Sequence, residues 1–210
     1  MTDDQGKPTV FIVDDDPGVR QMIARMVRSV GLSPRAFAST REFLDAYDPG
    51  AGGCLVLDVR MPDESGLELQ ERLAEMGVAV PIVFITGHGT VPSSVRAMKR
   101  GAVDFIEKPF DDQVLLDAIH AALTRDAEHQ RAATARAEAQ ARLAMLTPRE
   151  REVLTQVVTG RANKQIAATL GIAEQTVKLH RGRVMSKMQA DSVAELVVLA
   201  QLAGVLPASA

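Results

Sequence analysis

The fold of this 210-residue chain is decided by a stretch near its amino terminus, Phe11-Ile12-Val13-Asp14-Asp15. Its three apolar residues are typical of a strand that is buried on both faces, and two carboxylates follow directly. Further apolar runs end in a polar residue at Asp58, at Thr86 and at Lys108. The carboxyl ends of the strands in an open parallel α/β sheet face one crevice, where ligands bind. The chain therefore predicts a site for a divalent cation and a phosphoryl group at that edge.

Short β-branched runs alternate with segments of helical periodicity from residue 9 to about residue 123, which predicts βαβ units and a parallel sheet. The predicted strands are Thr9 to Val13, Ser33 to Phe37, Cys54 to Leu57, Pro81 to Ile85 and Asp104 to Glu107. Glycines stand just past helical stretches at positions 31, 77 and 101, where a left-handed closing residue is least costly for glycine.

Charge divides the chain into an acidic and a basic part. Residues 1–122 carry 12 Lys and Arg against 19 Asp and Glu, a net charge of −7, whereas residues 147–210 carry 8 against 5, a net charge of +3. This difference indicates different partners for the two parts. The lone Cys54 fits a reducing compartment, and no apolar stretch approaches the roughly 18 residues of a membrane helix. We expect a cytoplasmic protein without a membrane partner.

Residues 111–146 lack both Gly and Pro and are rich in Ala, Arg, Glu and Gln, which predicts a long helix. Core-facing spacing is shown by Leu115, Leu116, Ile119 and Leu123. From Thr124 to Arg142 the only apolar side chains are alanines. That part is predicted to be an exposed helical spacer or a weak coiled coil with an alanine seam. The spacer is favoured because heptads of Leu or Ile are missing.

Structure restarts at Thr147-Pro148-Arg149-Glu150, which has the pattern of a capping box with proline at the first helical position. The predicted helices are about Pro148 to Thr159, Asn163 to Leu170, Glu174 to Met188 and Ser192 to Ala203. A helix-turn-helix is indicated because Ala167 allows close packing, Gly171 provides the turn, and the second helix has an apolar stripe. That stripe consists of Val177, Val184 and Met188.

The segment from Gln175 to Lys187 contains no acidic residue, and its cations lie mainly off the apolar stripe. A DNA recognition helix needs this distribution, because cations bind phosphates while the leading polar residues reach base edges. A solvated basic helix face is the alternative, and the tight turn favours DNA. The predicted DNA contacts are Lys164, Gln175, Thr176, Val177, Lys178, His180, Arg181, Arg183 and Lys187.

The acidic strand ends predict the chemistry of phosphoryl transfer. Asp58 is the predicted nucleophile, Lys108 pairs with phosphoryl oxygens, and the Thr86 hydroxyl donates to one of them. The predicted Mg²⁺ ligands are Asp14, Asp15, Asp58 and the backbone carbonyl of Arg60. Each residue alone also fits a helix cap, a strand end or a turn, but their joint recurrence at successive strand ends is improbable by chance.

Four motifs resemble the receiver domain of two-component response regulators, in particular its FixJ-like branch. They are Val13-Asp14-Asp15-Asp16, Leu57-Asp58-Val59-Arg60-Met61-Pro62, Ile85-Thr86-Gly87-His88-Gly89 and Asp104-Phe105-Ile106-Glu107-Lys108-Pro109-Phe110. The resemblance implies a five-stranded, doubly wound flavodoxin-like fold, phosphorylation of Asp58 by a sensor histidine kinase and a cis peptide before Pro109. It also implies that Phe105, at the aromatic switch position, turns inward as Thr86 closes on the phosphoryl group. The family dimerises through its fourth helix and fifth strand, here Val91 to Arg100 and Asp104 to Ile106.

Residues from about 143 to 207 resemble the LuxR-type helix-turn-helix domain in the capping-box segment, in Asn163-Lys164-Gln165-Ile166-Ala167 and in Thr176-Val177-Lys178-Leu179-His180-Arg181. The resemblance implies four helices, DNA reading by the third and dimer contacts through the last. Ala162 and Ala173 stand where the family often has a serine cap. Losing such a cap costs roughly 1 kcal/mol.

The sequence predicts a transcription regulator, not an enzyme, with a receiver domain over 8–123, a helical linker over 124–142 and a helix-turn-helix domain over 143–208. Its expected partners are a sensor histidine kinase, promoter DNA, RNA polymerase and, on phosphorylation, a second copy of the chain. Phosphorylation either drives dimerisation or unmasks the DNA-binding module. The rival classes are an aspartate-nucleophile phosphohydrolase, with its nucleophile after the first strand, and a phospho-dependent protein-binding adaptor.

Arg60 and His88 each lie two residues beyond a pocket residue and are predicted to flank the path of attacking water. Long side chains at these positions would slow hydrolysis of the phosphoryl group. The alternative, that both are solvated loop residues, is equally compatible with the sequence. The loop that continues with Thr90-Val91-Pro92 has threonine where the family usually has aspartate, which affects the capping of the fourth helix.

Overall fold

The computed structural model describes residues 8–48, 50–87 and 91–205, and within them the first of two compact units has a sheet of five parallel strands. The units are Met1–Gln130 and Arg131–Ala210. The strands are β1 Thr9–Val13, β2 Ser33–Phe37, β3 Cys54–Asp58, β4 Ile82–Thr86 and β5 Asp104–Glu107. Their order, β2-β1-β3-β4-β5, is that of a flavodoxin-like sheet and confirms the predicted fold class.

Helices follow the strands and pack on both faces of the sheet. In the first unit they are α1 Pro17–Ser29, α2 Thr40–Ala46, α3 Gly66–Glu75 and α4 Val91–Lys99. Successive residues of a strand point to opposite faces, so Ile12 and Val56 join a core with α1 and the long helix that follows β5, whereas Phe11 and Leu57 join one with α2 and α3. Burial on both faces explains the unbroken apolar runs.

Two strands end one residue later than the sequence pattern predicts. β3 continues through Asp58, and β4 runs from Ile82 to Thr86. Pro81 lies just outside β4, as expected for a residue that has no N–H for the ladder. Asp58 and Thr86 are therefore the last residues of their strands, at the same edge of the sheet.

Close packing at the end of β3 requires glycine at position 66. A Cβ atom on Gly66 would lie 2.2 Å from the backbone oxygen of Asp58 and 2.9 Å from Cγ of Leu57. No real Cβ approaches a neighbouring backbone atom so closely, so helix α3 can begin here only because the side chain is missing. The predicted helix-closing glycines at 31, 77 and 101 have φ values of 81°, 71° and 88°, which confirms their left-handed conformation.

The predicted long helix is present as α5, Asp112–Ala144, a helix of 33 residues. Leu115 and Ile119 are fully buried, as their spacing predicts, and most side chains after Thr124 are exposed. Asp126 and Ala139 depart from the expectation of an exposed spacer, because only 9% and 0% of their surfaces are accessible. Hydrophobic periodicity does not reveal a buried carboxylate, since its burial depends on a hydrogen-bond partner elsewhere in the chain.

The second unit continues after α5 with short helices around a separate core. They are α6 Pro148–Val157, α7 Asn163–Leu170, α8 Glu174–Met188 and α9 Val193–Leu202. The capping box is confirmed, because Thr147 Oγ1 accepts the Glu150 N–H and Glu150 Oε2 accepts the Thr147 N–H. Within the described part of the chain, no helix has the length and apolar character that a membrane span requires.

Candidate functional site

Three of the predicted site residues meet at the carboxyl edge of the sheet. Lys108, directly after β5, donates from Nζ to Asp14 Oδ2 at 2.7 Å and to Asp58 Oδ1 at 2.8 Å. Asp14 follows β1 and Asp58 ends β3, so neighbouring parallel strands bring the two carboxylates together. Asp14, Asp58 and Lys108 are called the acidic pocket below.

Asp58 is held at both carboxylate oxygens. Its Oδ2 accepts the backbone N–H of Arg60 at 2.8 Å while its Oδ1 accepts Lys108. Only 4% of the Asp58 surface is accessible. Burial raises the pKa of Asp58 above its ordinary value, although the bond and the charge of Lys108 act in the opposite direction. A fixed, partly desolvated carboxylate of this kind is suited to act as a nucleophile.

Lys108 remains the cation of the acidic pocket. Burial lowers the pKa of its ammonium, but the hydrogen bonds and charges of Asp14 and Asp58 outweigh burial, so its pKa lies above the ordinary value. The Lys108 backbone N–H also donates to the Thr86 carbonyl at 2.7 Å. Two carboxylates against one ammonium leave the pocket with an excess of negative charge that a divalent cation can neutralise.

The residues of the acidic pocket fit a magnesium ion. In the parts of the chain that the structure covers, no three His, Cys, Asp or Glu side chains are grouped closely enough to form a metal cluster by themselves. Magnesium does not need a preformed cluster, because it usually keeps several waters in its coordination shell. Asp14 and Asp58 supply two buried carboxylates that share the Lys108 ammonium, and Asp15 adds an exposed carboxylate directly after Asp14.

Of the remaining predicted pocket residues, Thr86 ends β4 at the same edge, whereas Phe105 lies within β5 opposite Phe84. Thr86 is fully buried, and half-buried Phe105 packs against Phe84 with ring centroids 6.0 Å apart. The peptide bond between Lys108 and Pro109 is cis, as the family resemblance implies.

Of the two side chains predicted to flank attacking water, Arg60 alone is among the described residues. Arg60 is exposed beside Asp58, and His88 lies outside the described residues. Thr90, which was predicted to affect the capping of the fourth helix, also lies outside the described residues, and α4 begins at Val91.

The turn between α7 and α8 is built as the helix-turn-helix pattern predicts. Gly171 closes α7 with a φ of 65°, in the left-handed region, and the Ile172 N–H donates to the Ala167 carbonyl at 3.1 Å. Ala162 and Ala173, which precede α7 and α8, provide no side-chain cap. The backbone N–H of Ala162 itself donates to the side-chain oxygen of Gln165 at 2.9 Å.

One predicted DNA contact on α8 is wrong. Val177 is fully buried, together with Val184 and Met188, so its side chain forms the core stripe and does not reach a DNA surface. The periodicity already assigns Val177 to that stripe. The exposed predicted contacts are Lys164, Gln175, Lys178 and Arg183, and the half-buried ones are Thr176, His180, Arg181 and Lys187.

Two of the half-buried cations are engaged within the unit. Lys187 Nζ donates to Glu150 Oε2 at 2.6 Å, and Arg181 Nη1 donates to Asn163 Oδ1 at 3.1 Å. Glu150 is 2% accessible, and its bond from Lys187 together with the Thr147 N–H lowers its pKa to about 2. These contacts fasten α8 to α6 and to the start of α7. The sequence pattern does not predict them, because the partners are 37 and 18 residues apart.

Two further features of this unit were not predicted from the sequence. Arg149 Nη2 donates to the Leu170 carbonyl at 2.8 Å and so ties α6 to the last turn of α7. Leu179 is a large apolar side chain on α8 with 54% of its surface accessible. Its position off the core stripe and among polar neighbours is the sequence signal that indicates this exposure.

Comparisons with known proteins assign a family to each part of the chain. Residues 10–120 match the model of the response regulator receiver domain, and residues 144–200 match that of bacterial regulatory proteins of the luxR family. Nodulation protein W of Bradyrhizobium diazoefficiens is 48% identical over 97% of this chain and 90% of its own length. Transcriptional regulatory protein FixJ of Azorhizobium caulinodans is 49% identical over 95% of this chain and 94% of its own length.

Solved structures show the same likeness. The response regulator StyR is 47% identical, with a TM-score of 0.84 over 93% of this chain and 99% of its own. Full-length FixJ from B. japonicum is 41% identical, with a TM-score of 0.57 over 95% of this chain and 98% of its own. The chain belongs to the response regulators of the NarL/FixJ type, which join a receiver domain to a LuxR-type DNA-binding domain. Transcription regulation through DNA binding is the function of this family.

Proposed function

We propose that a sensor histidine kinase phosphorylates Asp58 and that phosphorylation promotes dimerisation and sequence-specific binding to promoter DNA. The observation that carries this proposal is the pair of bonds from Lys108 to Asp14 and Asp58. They hold a carboxylate nucleophile beside a fixed cation. Phosphoryl transfer requires mainly positioning and charge stabilisation from the protein, and the acidic pocket supplies both.

In the proposed reaction an Asp58 oxygen bonds to phosphorus while the bond from phosphorus to the kinase histidine nitrogen breaks. Lys108 then pairs with the phosphoryl oxygens, and the Thr86 hydroxyl donates to one of them. Phe105 turns into the space that Thr86 leaves. The proposed magnesium ligands are Asp14, Asp15, Asp58 and the carbonyl of Arg60. Magnesium, when bound, neutralises the negative charge that collects during transfer.

The face made by α4 and β5 is the proposed dimer surface of the phosphorylated receiver. Val95 and Met98 on α4 each expose 45% of their surface, which supports burial against a second copy. Phosphorylation adds nearly two negative charges at Asp58, and closure of Thr86 would move the neighbouring strand end. Release of a masked DNA-binding domain is the alternative relay.

Helix α8 is the proposed DNA-reading element, with its cations on phosphates and its leading polar side chains at base edges. The exposure of Lys178 and Arg183 supports this role. The proposed contacts are Lys164, Gln175, Thr176, Lys178, His180, Arg181, Arg183 and Lys187. RNA polymerase is a further proposed partner. The proposed segments are a receiver over residues 8–123, a linker over 124–142 and a DNA-binding domain over 143–208.

The test compares the wild-type chain with Asp58→Asn. Each is incubated with acetyl phosphate and Mg²⁺, and its affinity is measured for a duplex that the wild-type chain selects from a random-sequence pool. Coupling between two sites typically changes affinity by about 5–150-fold, so the wild-type chain should gain at least about fivefold and Asp58→Asn should gain nothing. Sedimentation of the same samples reports dimerisation. Equal affinities of treated and untreated wild-type chain would rule out phosphorylation control of DNA binding.

A further inference from the structure

The far edge of the receiver sheet contains a contact that is independent of the acidic pocket. Asp126 of α5 is buried, and its Oδ2 accepts the backbone N–H of Gly53 at 2.8 Å. Gly53 immediately precedes β3, the strand whose other end is Asp58. A carboxylate of the long helix therefore holds the amino end of the strand that carries the proposed phosphoacceptor.

The preceding residue of α5 makes a second contact of the same kind. Arg125 Nη1 donates to the Gly101 carbonyl at 3.1 Å, in the loop that leads into β5. β5 carries Phe105 and is followed by Lys108. Arg125 and Asp126, called the basal clamp below, thus bind the backbones that enter β5 and β3.

The carboxylate of the basal clamp is fixed in place by its surroundings. Burying a carboxylate is costly unless hydrogen bonds compensate for the water it loses, and the Gly53 N–H provides one. Gly53 has a φ of 129°, and a Cβ there would lie 2.2 Å from the Thr9 carbonyl oxygen, so this backbone packs directly against the start of β1. Burial, and then the charge of Asp126, raise the pKa of Cys54 to about 12, which agrees with a carboxylate close to the start of β3.

The strands between the two edges are suited to carry a displacement. All five residues of β3 are buried, and the strand pairs with β1 on one side and β4 on the other. Close-packed interiors have low compressibility and transmit strain. Packed strands therefore connect Asp58 and Lys108 to the amino ends of β3 and β5, where Asp126 and Arg125 hold the helix.

We propose that Arg125 and Asp126 are positioning residues that couple α5 to β3 and β5, so that the state of the acidic pocket is passed to the helix leading to the DNA-binding domain. This inference rests on the proposed function of Asp58. If these contacts only stabilised the fold, their removal would lower the free energy of unfolding. It would not change the ratio of the DNA affinities measured with and without an occupied pocket.

The experiment uses the full chain and beryllofluoride with Mg²⁺ as the phosphoryl analogue. The wild-type chain, Asp126→Ala, Asp126→Asn and Glu128→Ala are compared for saturation by beryllofluoride and for affinity to the selected duplex in its absence and presence. Glu128 lies two residues further along α5 and is exposed, so it is a charge-matched control. Asparagine keeps an acceptor oxygen for the Gly53 N–H.

Asp126→Ala should take up beryllofluoride and keep its basal DNA affinity. The ratio of its DNA affinities with and without beryllofluoride should be at least about fivefold smaller than the wild-type ratio, since fivefold is the lower limit of typical coupling. Asp126→Asn and Glu128→Ala should keep most of the gain. An undiminished gain in Asp126→Ala would overturn the inference alone, whereas no gain in the wild-type chain would contradict the proposed function and the inference with it. If Asp126→Ala does not fold, Arg125→Ala decides by the same ratio, and an unchanged gain overturns the inference.

Discussion

The acidic pocket and helix α8 hold their charges in opposite ways. In the pocket, Asp14 and Asp58 are buried and share the ammonium of Lys108, so all three side chains have fixed positions. On α8, Lys178 and Arg183 are exposed to solvent. Phosphoryl transfer needs reacting groups held in position, whereas DNA phosphates can be reached by side chains that adjust on binding. Each way of holding charge suits the chemistry expected of it.

Lys187 departs from this division because it lies on α8 and is nevertheless tied to buried Glu150. One face of the helix is therefore anchored to α6, and the other presents exposed cations. The anchored face orients the helix, and the exposed face is available for DNA.

The largest effect is expected where the backbone holds the pocket. Gly66→Ala places a Cβ 2.2 Å from the Asp58 backbone oxygen, so it should lower the free energy of unfolding by about 3 kcal/mol, the upper part of the usual range for overpacking. Urea denaturation followed by circular dichroism measures the loss. Gly87→Ala is the control, because its Cβ would meet nothing within 4 Å. Equal stabilities of the two variants would show that the pocket backbone is not tightly held.

Removing the anchor of α8 should give a smaller loss. Glu150→Ala leaves Lys187 and the Thr147 N–H without their acceptor, which should cost about 1–3 kcal/mol of unfolding free energy. Hydrogen exchange of the α6 and α8 amides localises the loss to the second unit. Glu152→Ala, on the exposed face of the same helix, should change stability by less than about 1 kcal/mol.

The stabilisation that Glu150 and Lys187 provide depends on pH in a predictable direction. The Glu150 carboxylate has a pKa of about 2 in the folded chain against an ordinary value of 4.5. Its stabilisation is therefore complete above about pH 4.5 and is lost as the pH falls through about 2. The stability gap between wild type and Glu150→Ala should narrow over that interval, and a gap that widens would contradict the ion pair with Lys187.

Two lysines of α8 allow the division of its faces to be tested directly. Lys178→Ala should reduce the slope of log affinity against log salt concentration by about 0.9, the value for one phosphate contact. Lys187→Ala should change the slope less, because its ammonium is already paired with Glu150. Titrations of the selected duplex at several salt concentrations give both slopes. Equal reductions would show that the anchored and exposed faces do not differ in DNA binding.

The smallest effect concerns the missing cap at the start of α8. Ala173→Ser should raise the stability of the second unit by about 1 kcal/mol, since a serine hydroxyl at this position can accept a backbone N–H of the first turn. Ala168→Ser, at an exposed site within α7, should instead lower stability by a few tenths of a kcal/mol. Thermal denaturation distinguishes the two variants. A melting temperature of Ala173→Ser that is no higher than that of the wild-type chain would contradict the inference that α8 lacks a side-chain cap.

Local rules explain how much of the structure the sequence predicts. β-branched runs, glycines after helices and the capping box each depend on residues a few positions apart, so the strands, α5 and the helix-turn-helix could be located within one or two residues. The carboxyl edge of the sheet could be predicted as well, because parallel strands bring the residues that follow them together. Asp14, Asp58 and Lys108 confirm that expectation.

Contacts between distant segments could not be predicted in this way. Glu150 with Lys187, and Asp126 with Gly53, depend on how helices and strands pack, and no periodicity encodes those pairings. The error at Val177 has a related cause. A residue within a recognition segment is buried or exposed according to the helix face that meets the core, and the apolar stripe takes precedence over the motif.

The central claim is that Asp58 is the side chain that accepts the phosphoryl group. The most direct test is to incubate the full chain with acetyl phosphate and Mg²⁺ and then to map the modified residue by peptide mass spectrometry, with Asp58→Asn in parallel. The account predicts one phosphoryl group on Asp58 and none in the variant. A phosphoryl group on Asp14, after the first strand, or an unmodified wild-type chain would contradict it.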